Sequence, residues 1–314
     1  QTGGMDADAV GAALQNAKDA ESIAAAYESF SGVNRFGDNY RGAITVTPEM
    51  FGAVGDLNVS TGVGTDDGIA MLAVIEFITS RGNNQAFKGK LLRNYLITEN
   101  NILGKWSAET LVEGLSIEGG GLESSVILLK PNYDAAITEW YFYDGLHADG
   151  DKSIASNLLF ASFSGINFNL DSSNLVAGQS ISWFRQSGWS VDVHPQQGWR
   201  FTQCGFKGDI SRPQYNGSIL DIVGNANGSE NTFDRCRGKY WQHVIKCTNP
   251  QALNHYSTSS DWEVGTGDMF SYERGGSVVV TGGSLILDKI GTAPAWAAST
   301  GYAAEAECWV NGIH

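Results

Sequence analysis

Four acidic residues in the second half of the chain have the chemistry needed to cleave a glycosidic bond. Glu230 and Asp234 lie in one short segment, and Asp261 and Glu263 lie further along the chain. Glycoside hydrolysis usually uses two carboxyl groups that flank the bond, one of which protonates the leaving oxygen. We predict that the catalytic residues are Glu230, Asp234, Asp261 and Glu263. The wider set of acids from which they are chosen also contains Asp192, Asp209 and Asp221.

Two histidines support a different reaction, the eliminative cleavage of a uronic acid. His194 or His243 would act as the base, and a cation would bind the sugar carboxylate. The cations available for this role are Arg200, Arg235 and Lys239. The residues alone leave hydrolysis and elimination open. No nucleophile–base motif, phosphate-binding loop or metal-ligand triad is recognisable, so we predict no metal and no cofactor.

A second group of candidates is aromatic and fits sugar binding. A flat ring offers a large apolar face with a polar edge, which suits the C–H face of a sugar. Several of these rings stand beside glycine or in turns, which favours an exposed position. We predict carbohydrate-binding roles for Trp183, Trp189, Trp199, Tyr240 and Trp241. The alternative is that they pack in loops or at a subunit interface.

A repeated template of short strands would hold these side chains in place. Its pattern is an apolar residue, two residues, a small residue, one residue and a second apolar residue. It occurs as Phe163-x-x-Ile166-x-Phe168 and Phe201-x-x-Cys204-x-Phe206, and in weaker form as Phe233-x-x-Cys236, Tyr256-x-x-Ser259 and Val280-x-x-Gly283-x-Leu285. The later copies follow one another after about 23 to 32 residues, a spacing typical of stacked repeats.

Stacked coils are therefore the predicted source of the core, since one coil cannot bury its apolar face alone. A β-sandwich is the rival architecture. Its hairpin signal is an Asn-Gly dipeptide between alternating strands, and such dipeptides occur at 216–217 and 227–228. Cys204 and Cys236 fall inside the strand pattern, so we expect them to be free, buried thiols.

Residues 46–73 combine a strand-like segment, a glycine-rich turn and the start of a helix. Asp66 and Asp67 stand just before the helix, where they either cap it or form a metal or catalytic pair. The helix is expected to end at Gly82. Its predicted buried face consists of Ile69, Leu72, Ala73 and Phe77.

This stretch carries a resemblance to a known family. The segment FGAVGD (51–56), followed by TDD (65–67), an apolar helix and KLLRNYLIT (90–98), resembles the opening segment of the pectate-lyase-like right-handed parallel β-helix superfamily. Many phage tailspikes and capsule depolymerases belong to that superfamily. The chain departs from the family pattern in its longer turn and in Gly68, where threonine is usual. The resemblance implies an all-β fold, a right-handed parallel β-helix or solenoid.

The same resemblance implies a function and a set of partners. A tailspike is a homotrimer in the virion tail, contacts other tail proteins, and binds and degrades bacterial capsule or lipopolysaccharide. Two alternatives stay open. One is a non-enzymatic structural or adaptor protein of a phage tail, and the other is a secreted polysaccharide lyase or hydrolase.

Composition limits the partners. The chain of 314 residues has a net charge of −14, which argues against nucleic acid because phosphates require clusters of Lys and Arg. That charge is compatible with a neutral polysaccharide, or with an anionic one bound by a local basic patch. No window reaches the roughly 18 apolar residues of a membrane span. The N-terminus has no basic region followed by an apolar core, so we expect no signal peptide.

We predict three parts along the chain. Residues 1–45 contain an alanine-rich helix over 5–30 and a linker, which would serve attachment or trimerisation. Residues 46–290 form the parallel β-helix, and 291–314 form an irregular C-terminal segment. Within the solenoid, 131–157 break the repeat, and we expect an insertion that lies on one face, often the binding face.

Overall fold

The structure is a computed structural model that describes ten segments of the chain. They are residues 44–79, 87–98, 112–113, 115–121, 124–132, 134–145, 158–188, 197–225, 227–264 and 267–287. The predicted helix over 5–30, most of the linker that follows it and the C-terminal segment over 291–314 lie outside the described residues.

The described residues form three main sheets, with strands numbered in chain order. Sheet 1 contains β1 (Ile44–Val46), β2 (Phe87–Leu91), β5 (Ser116–Gly119), β9 (Ser162–Ser164), β12 (Arg200–Thr202), β15 (Thr232–Asp234), β18 (His255–Thr258) and β21 (Val278–Thr281). Sheet 2 contains β3 (Tyr95–Ile97), β6 (Val126–Leu129), β10 (Asn167–Leu170), β13 (Gly205–Lys207), β16 (Arg237–Trp241), β19 (Asp261–Val264) and β22 (Ser284–Leu287). Sheet 3 contains β7 (Glu139–Asp144), β11 (Ser180–Gly188), β14 (Ser218–Gly224), β17 (His243–Cys247) and β20 (Phe270–Tyr272).

A small fourth sheet pairs β4 (Val112–Glu113) with β8 (Leu158–Leu159). The described helices are α1 (Gly68–Thr79) and two 3-10 turns, Pro48–Phe51 and Pro213–Tyr215.

The chain visits the three sheets in turn, and each strand pairs with its counterpart in the next coil. Every strand pair among the described residues is parallel. This confirms the predicted parallel β-helix. The β-sandwich alternative is wrong: Asn216 and Gly217 lead into β14 of a parallel sheet, and Gly217 donates its backbone N–H to Ile181 across coils.

Sharp corners between sheets 1 and 2 allow the chain to turn within two residues. The first corner residue has a left-handed backbone in successive coils, at Gly165, Gln203, Arg235 and Ser259, with φ between 49° and 63°. A left-handed residue is tolerated most easily by glycine and costs other residues some free energy. Because each corner N–H pairs with the carbonyl of the next coil, stacking compensates for this cost.

The template residues form the interior as predicted. Phe201 pairs in register with Phe163 on one side and Phe233 on the other, and the rings stack at 5.4 Å and 4.9 Å, both at 12°. Phe168 stacks on Phe206 in the neighbouring sheet. The thiols of the template are buried and free, as expected. The stacking of these rings from coil to coil explains why the template recurs along the sequence.

One copy of the template is wrong by one residue. The partner of Phe233 is Ser257, not Tyr256, whose side chain is exposed. The next inward place in that coil is taken by Trp262, which pairs with Gly238. A Cβ on Gly238 would lie 2.5 Å from the Trp262 ring, so the two residues are complementary in size. A large residue therefore fills the space that a missing side chain leaves in the coil before it.

The interior becomes more polar toward the last coils. Gln186 and Asn231 exchange two amide hydrogen bonds of 2.8 Å, and Asn231 also lies 3.4 Å from His255 Nδ1. The His255 ring stacks on Tyr272, whose hydroxyl has no hydrogen-bond partner among the described residues. Burial lowers the pKa of His255 to about 4, so this imidazole is neutral at physiological pH.

Helix α1 covers the beginning of the solenoid, and its most deeply buried residues are Met71, Val74, Ile75 and Ile78. Of the four residues predicted to be buried, Leu72, Ala73 and Phe77 are partly buried against the core, whereas Ile69 is exposed. The helix is apolar on nearly all sides, so its packing partners decide which residues are buried.

The acids before α1 act as backbone acceptors. Asp67 accepts N–H groups from Val54 (2.7 Å) and Gly55 (3.2 Å), and Asp66 accepts the N–H of Gly68 at the helix start. The Asp66 contact matches the capping role, whereas Asp67 fastens the glycine-rich turn to the start of the helix.

Candidate functional site

The four predicted catalytic acids lie on two different sheets. Glu230 is an exposed residue in the turn before β15, and Asp234 ends that strand of sheet 1. Asp261 and Glu263 lie on β19 of sheet 2. Their catalytic role stays a prediction.

Three of these acids already have a local partner. Asp234 binds the neighbouring Arg235 at 3.1 Å, and Glu263 binds Lys239 of the preceding coil at 2.7 Å. Asp261 accepts a hydrogen bond from Ser284. These pairs are exposed to differing degrees, and interactions of this kind contribute little free energy.

The predicted sugar-binding tryptophans are core residues. Trp183 and Trp199 are 0% exposed and Trp241 is 1% exposed, so the expectation of exposed rings is wrong for these three. They belong to the hydrophobic core, where large apolar rings remove much surface from water. Tyr240 is half-buried with a left-handed backbone. Trp189 lies outside the described residues.

The residues suggested for elimination are also separated. His243 is buried, and its Nδ1 lies 2.5 Å from the Asp268 carbonyl. Burial lowers the pKa of this histidine, although its contact with Asp268 offsets part of the effect. Arg235 and Lys239 are bound to their own acids, and Arg200 is exposed. His194 and Asp192 lie outside the described residues.

A pocket on the outer face of sheet 3 brings together a different group of polar side chains. It is lined by Glu139, Tyr141, Arg185, Asp221, Val223, Lys246 and Thr248. These residues come from β7, β11, β14 and β17, apart from Thr248, which directly follows β17. We call this feature the sheet-3 pocket.

A row of alternating charge crosses this face. Asp144 pairs in register with Arg185, Arg185 with Asp221, and Asp221 with Lys246. Directly opposed side chains on neighbouring strands lie close together, so each charge is flanked by the opposite sign. The row extends over four successive coils, although its members are widely separated in sequence.

Arg185 is the centre of the row. Its Nε donates to Asp144 Oδ1 at 2.6 Å, its Nη2 binds Asp144 Oδ2, and its Nη1 donates to Glu139 Oε2 at 3.2 Å. The guanidinium also lies 4.3 Å above the centre of the Tyr141 ring. Because a guanidinium is planar and always charged, these contacts hold the acid and the ring in one geometry.

Tyr141 joins two carboxyl groups. Its hydroxyl lies 2.9 Å from Asp221 Oδ2 and 3.2 Å from Glu139 Oε2. One hydroxyl has one proton and cannot donate to two ionised carboxylates at once.

The environments of the two acids differ strongly. The Asp221 residue is 8% exposed, and its Oδ1 is shielded from solvent with no hydrogen-bond partner among the described residues. Burial raises the pKa of Asp221, and the nearby hydroxyls of Ser218 and Tyr141 offset part of the increase. The Glu139 side chain, in contrast, is 52% exposed.

Sequence reasoning missed most of this pocket for identifiable reasons. Glu139 and Tyr141 lie inside an aromatic run that was expected to be an insertion, whereas 139–144 form a strand of the solenoid. Arg185 follows two buried aromatic residues in β11. A usable signal was the presence of a charged residue within each of the apolar strands β7, β11, β14 and β17, since a buried charge requires a partner.

Two general features complete the description. Within the described segments, no group of three or more metal-ligating side chains is close enough to hold an ion. No described helix is both long and apolar enough to cross a bilayer.

Comparison with known proteins identifies no family for this chain. No protein-family model and no curated protein matches the chain. Among solved structures, ORF18 of Geobacillus virus E2 is similar, with a TM-score of 0.33 and 14% sequence identity. The match covers 76% of this chain and 60% of that protein, so this chain spans less than two thirds of its length. A likeness at this TM-score carries no argument about function.

Proposed function

We propose that the protein is a phage tailspike-like receptor-binding protein that recognises bacterial surface polysaccharide. The observation that carries the proposal is the sheet-3 pocket. It combines carboxyl oxygens, a fixed guanidinium, a lysine and a threonine hydroxyl on one rigid face. Such groups donate to and accept from the many hydroxyls of a sugar.

The fold supports a polymeric ligand over a small one. Stacked coils give the outer face of sheet 3 a length that extends well beyond one pocket, and solenoids use such extended surfaces for binding. Lys246 lies at the pocket wall in register with Asp221, and no salt bridge joins its ammonium group to another described residue. It is therefore available to a hydroxyl or an acidic group of the ligand.

The binding experiment compares two lysines on the outer surface. The full chain is exposed to immobilised capsular polysaccharides and lipopolysaccharides from a panel of bacteria, and affinity is measured by biolayer interferometry. Lys246→Gln should weaken binding about tenfold or more, as expected when a charged hydrogen bond is lost. Lys207→Gln, on the exposed face of sheet 2, should have no effect.

Two results would contradict the proposal in different ways. Equal affinities for the two lysine variants would show that the binding site does not lie on sheet 3. Absence of binding to every preparation would contradict the proposal that the protein recognises polysaccharide.

The proposal includes a homotrimer in the virion tail that contacts other tail proteins and degrades the polysaccharide it binds. Its support is the resemblance of residues 51–98 to the tailspike superfamily. Light scattering of the protein in solution should give three times the mass of one chain. A stable monomer would argue for the secreted enzyme.

A further inference from the structure

The two carboxyl groups of the sheet-3 pocket are close enough to act on one bond. Because Glu139 Oε2 and Asp221 Oδ2 both contact the Tyr141 hydroxyl, at 3.2 Å and 2.9 Å, they are at most about 6 Å apart. Carboxyl pairs are separated by roughly 5 to 5.5 Å in glycosidases that retain anomeric configuration, and by roughly 6.5 to 9.5 Å in those that invert it. The limit set by Tyr141 favours the retaining class.

The surroundings of the two acids divide the roles between them. Glu139 is half exposed, and its Oε2 contacts Arg185 and Tyr141, which leaves Oε1 available for attack. Asp221 is buried with an unpartnered oxygen, which favours the protonated form. Two carboxyl groups whose environments separate their protonation states are the usual arrangement of an acid and a nucleophile.

We propose that Glu139 and Asp221 cleave a glycosidic bond of the bound polysaccharide with retention of configuration, an inference that rests on the proposed function of the same pocket. In the first step Glu139 bonds to the anomeric carbon, the bond from that carbon to the glycosidic oxygen breaks, and the oxygen takes the proton of Asp221. In the second step a water oxygen bonds to the anomeric carbon and the ester to Glu139 breaks. The proton released by water returns to Asp221, so the net reaction adds one water.

Two neighbours have positioning roles in this scheme. Arg185 fixes Glu139 and lies above the ring of Tyr141. Tyr141 sets the separation of the two acids. Their geometry is maintained by the strand register of β7, β11 and β14 rather than by a loop.

The test starts from a polysaccharide that the wild-type chain binds. New reducing ends are quantified, and proton NMR records the configuration of the first product before it equilibrates. Glu139→Gln and Asp221→Asn should each reduce the rate by about a hundredfold or more, while Glu139→Gln still binds. Glu273→Gln, an exposed acid at the end of sheet 3, is the matched control and should retain full activity.

A second measurement protects against a folding artefact. Glu139→Ala should regain activity when azide is added, because azide replaces the missing nucleophile, and the product should be a glycosyl azide of inverted configuration. A misfolded variant cannot be rescued in this way. The wild-type rate should also fall as pH rises through the raised pKa of Asp221, since the acid must be protonated.

Three outcomes would overturn the assignment while leaving polysaccharide recognition intact. They are binding without any release of reducing ends, a first product of inverted configuration, and full activity in both Glu139→Gln and Asp221→Asn. If Glu230→Gln and Asp234→Asn lose activity instead, the catalytic site lies on sheet 1. If no preparation is bound at all, the proposed function itself fails.

Discussion

Replacing Arg185 with methionine removes the cation that connects the acids of the sheet-3 pocket. The side chains of Arg185 and Asp144 are only 16% and 12% exposed, so their ion pair is largely shielded from water. Breaking a buried pair costs roughly 3 to 5 kcal/mol, because the remaining charge is left uncompensated. We expect Arg185→Met to lower the free energy of unfolding by about 4 kcal/mol.

A double-mutant cycle tests the cause of this loss. Asp144→Asn alone leaves the guanidinium without its main partner, whereas the double variant removes both charges together. We expect the double variant to lose less stability than the two single variants combined, by roughly 0.5 to 3 kcal/mol. Urea unfolding followed by fluorescence and by circular dichroism gives the free energies and shows whether the transition is two-state.

The matched control is the exposed pair on sheet 1. Asp234 and Arg235 are 30% and 56% exposed, and such pairs contribute about 0 to 1 kcal/mol. Arg235→Met should therefore change stability little. If Arg185→Met costs no more than Arg235→Met, or if the cycle is additive, the shielded charge row does not hold the pocket together.

Three further predictions concern the core and its titratable groups. Phe201→Ala should lower the free energy of unfolding by roughly 3 to 5 kcal/mol, because a fully buried ring is lost from the stack. Phe160→Ala removes a half-exposed ring and should lower it by less than about 1 kcal/mol. Urea unfolding measures both values. His255 has a depressed pKa, about 4, so stability should fall as pH drops from roughly 6.5 to 4, and His255→Gln should reduce that loss. Burial raises the pKa of Asp67 to about 6, so protonation of this carboxyl group stabilises the fold. This contribution to stability decreases as pH rises from roughly 4 to 6. Asp67→Asn should remove this pH dependence. Thermal melts at several pH values test both assignments. If the melting temperatures of a variant and the wild type change with pH in parallel, the assignment for that residue is wrong.

The predictions for His255 and Asp67 act in opposite directions over the same pH interval. Protonation of His255 disfavours the fold, whereas protonation of Asp67 favours it. In the wild-type profile between pH 4 and 6 these two contributions therefore offset each other. Each single variant is needed to separate the two contributions.

The class of fold was predictable because it depends on local repetition. The spacing from Phe163 to Phe168 recurs from Phe201 to Phe206, and an apolar pattern that repeats at coil intervals can be buried only by stacking. Where the pattern degenerates, prediction failed by one residue. Tyr256 and Ser257 both fit a degraded template, and only the register with Phe233 shows which side chain points inward.

The buried face of α1 and the burial of the tryptophans were not predictable in the same way. A helix that is apolar all round gives no preferred side, so the contact with the first coils selects Val74 over Ile69. Trp199 follows Gly198, which suggests a turn, yet its ring fills the interior, as does the ring of Trp183. Large aromatic side chains enter the core wherever the coil leaves enough volume, and that volume is a property of neighbouring coils.

From its residues alone, this chain determines that it winds into a parallel solenoid with an aromatic interior, because repeated apolar spacing and turn-forming residues are local properties. The candidate site was decided by tertiary structure. Tyr141, Arg185 and Asp221 are distant in sequence, and they become neighbours only because three consecutive coils pair in one register. The physical reason is that register sets which charges face each other and how far each is removed from water, and those two quantities decide which acid holds a proton.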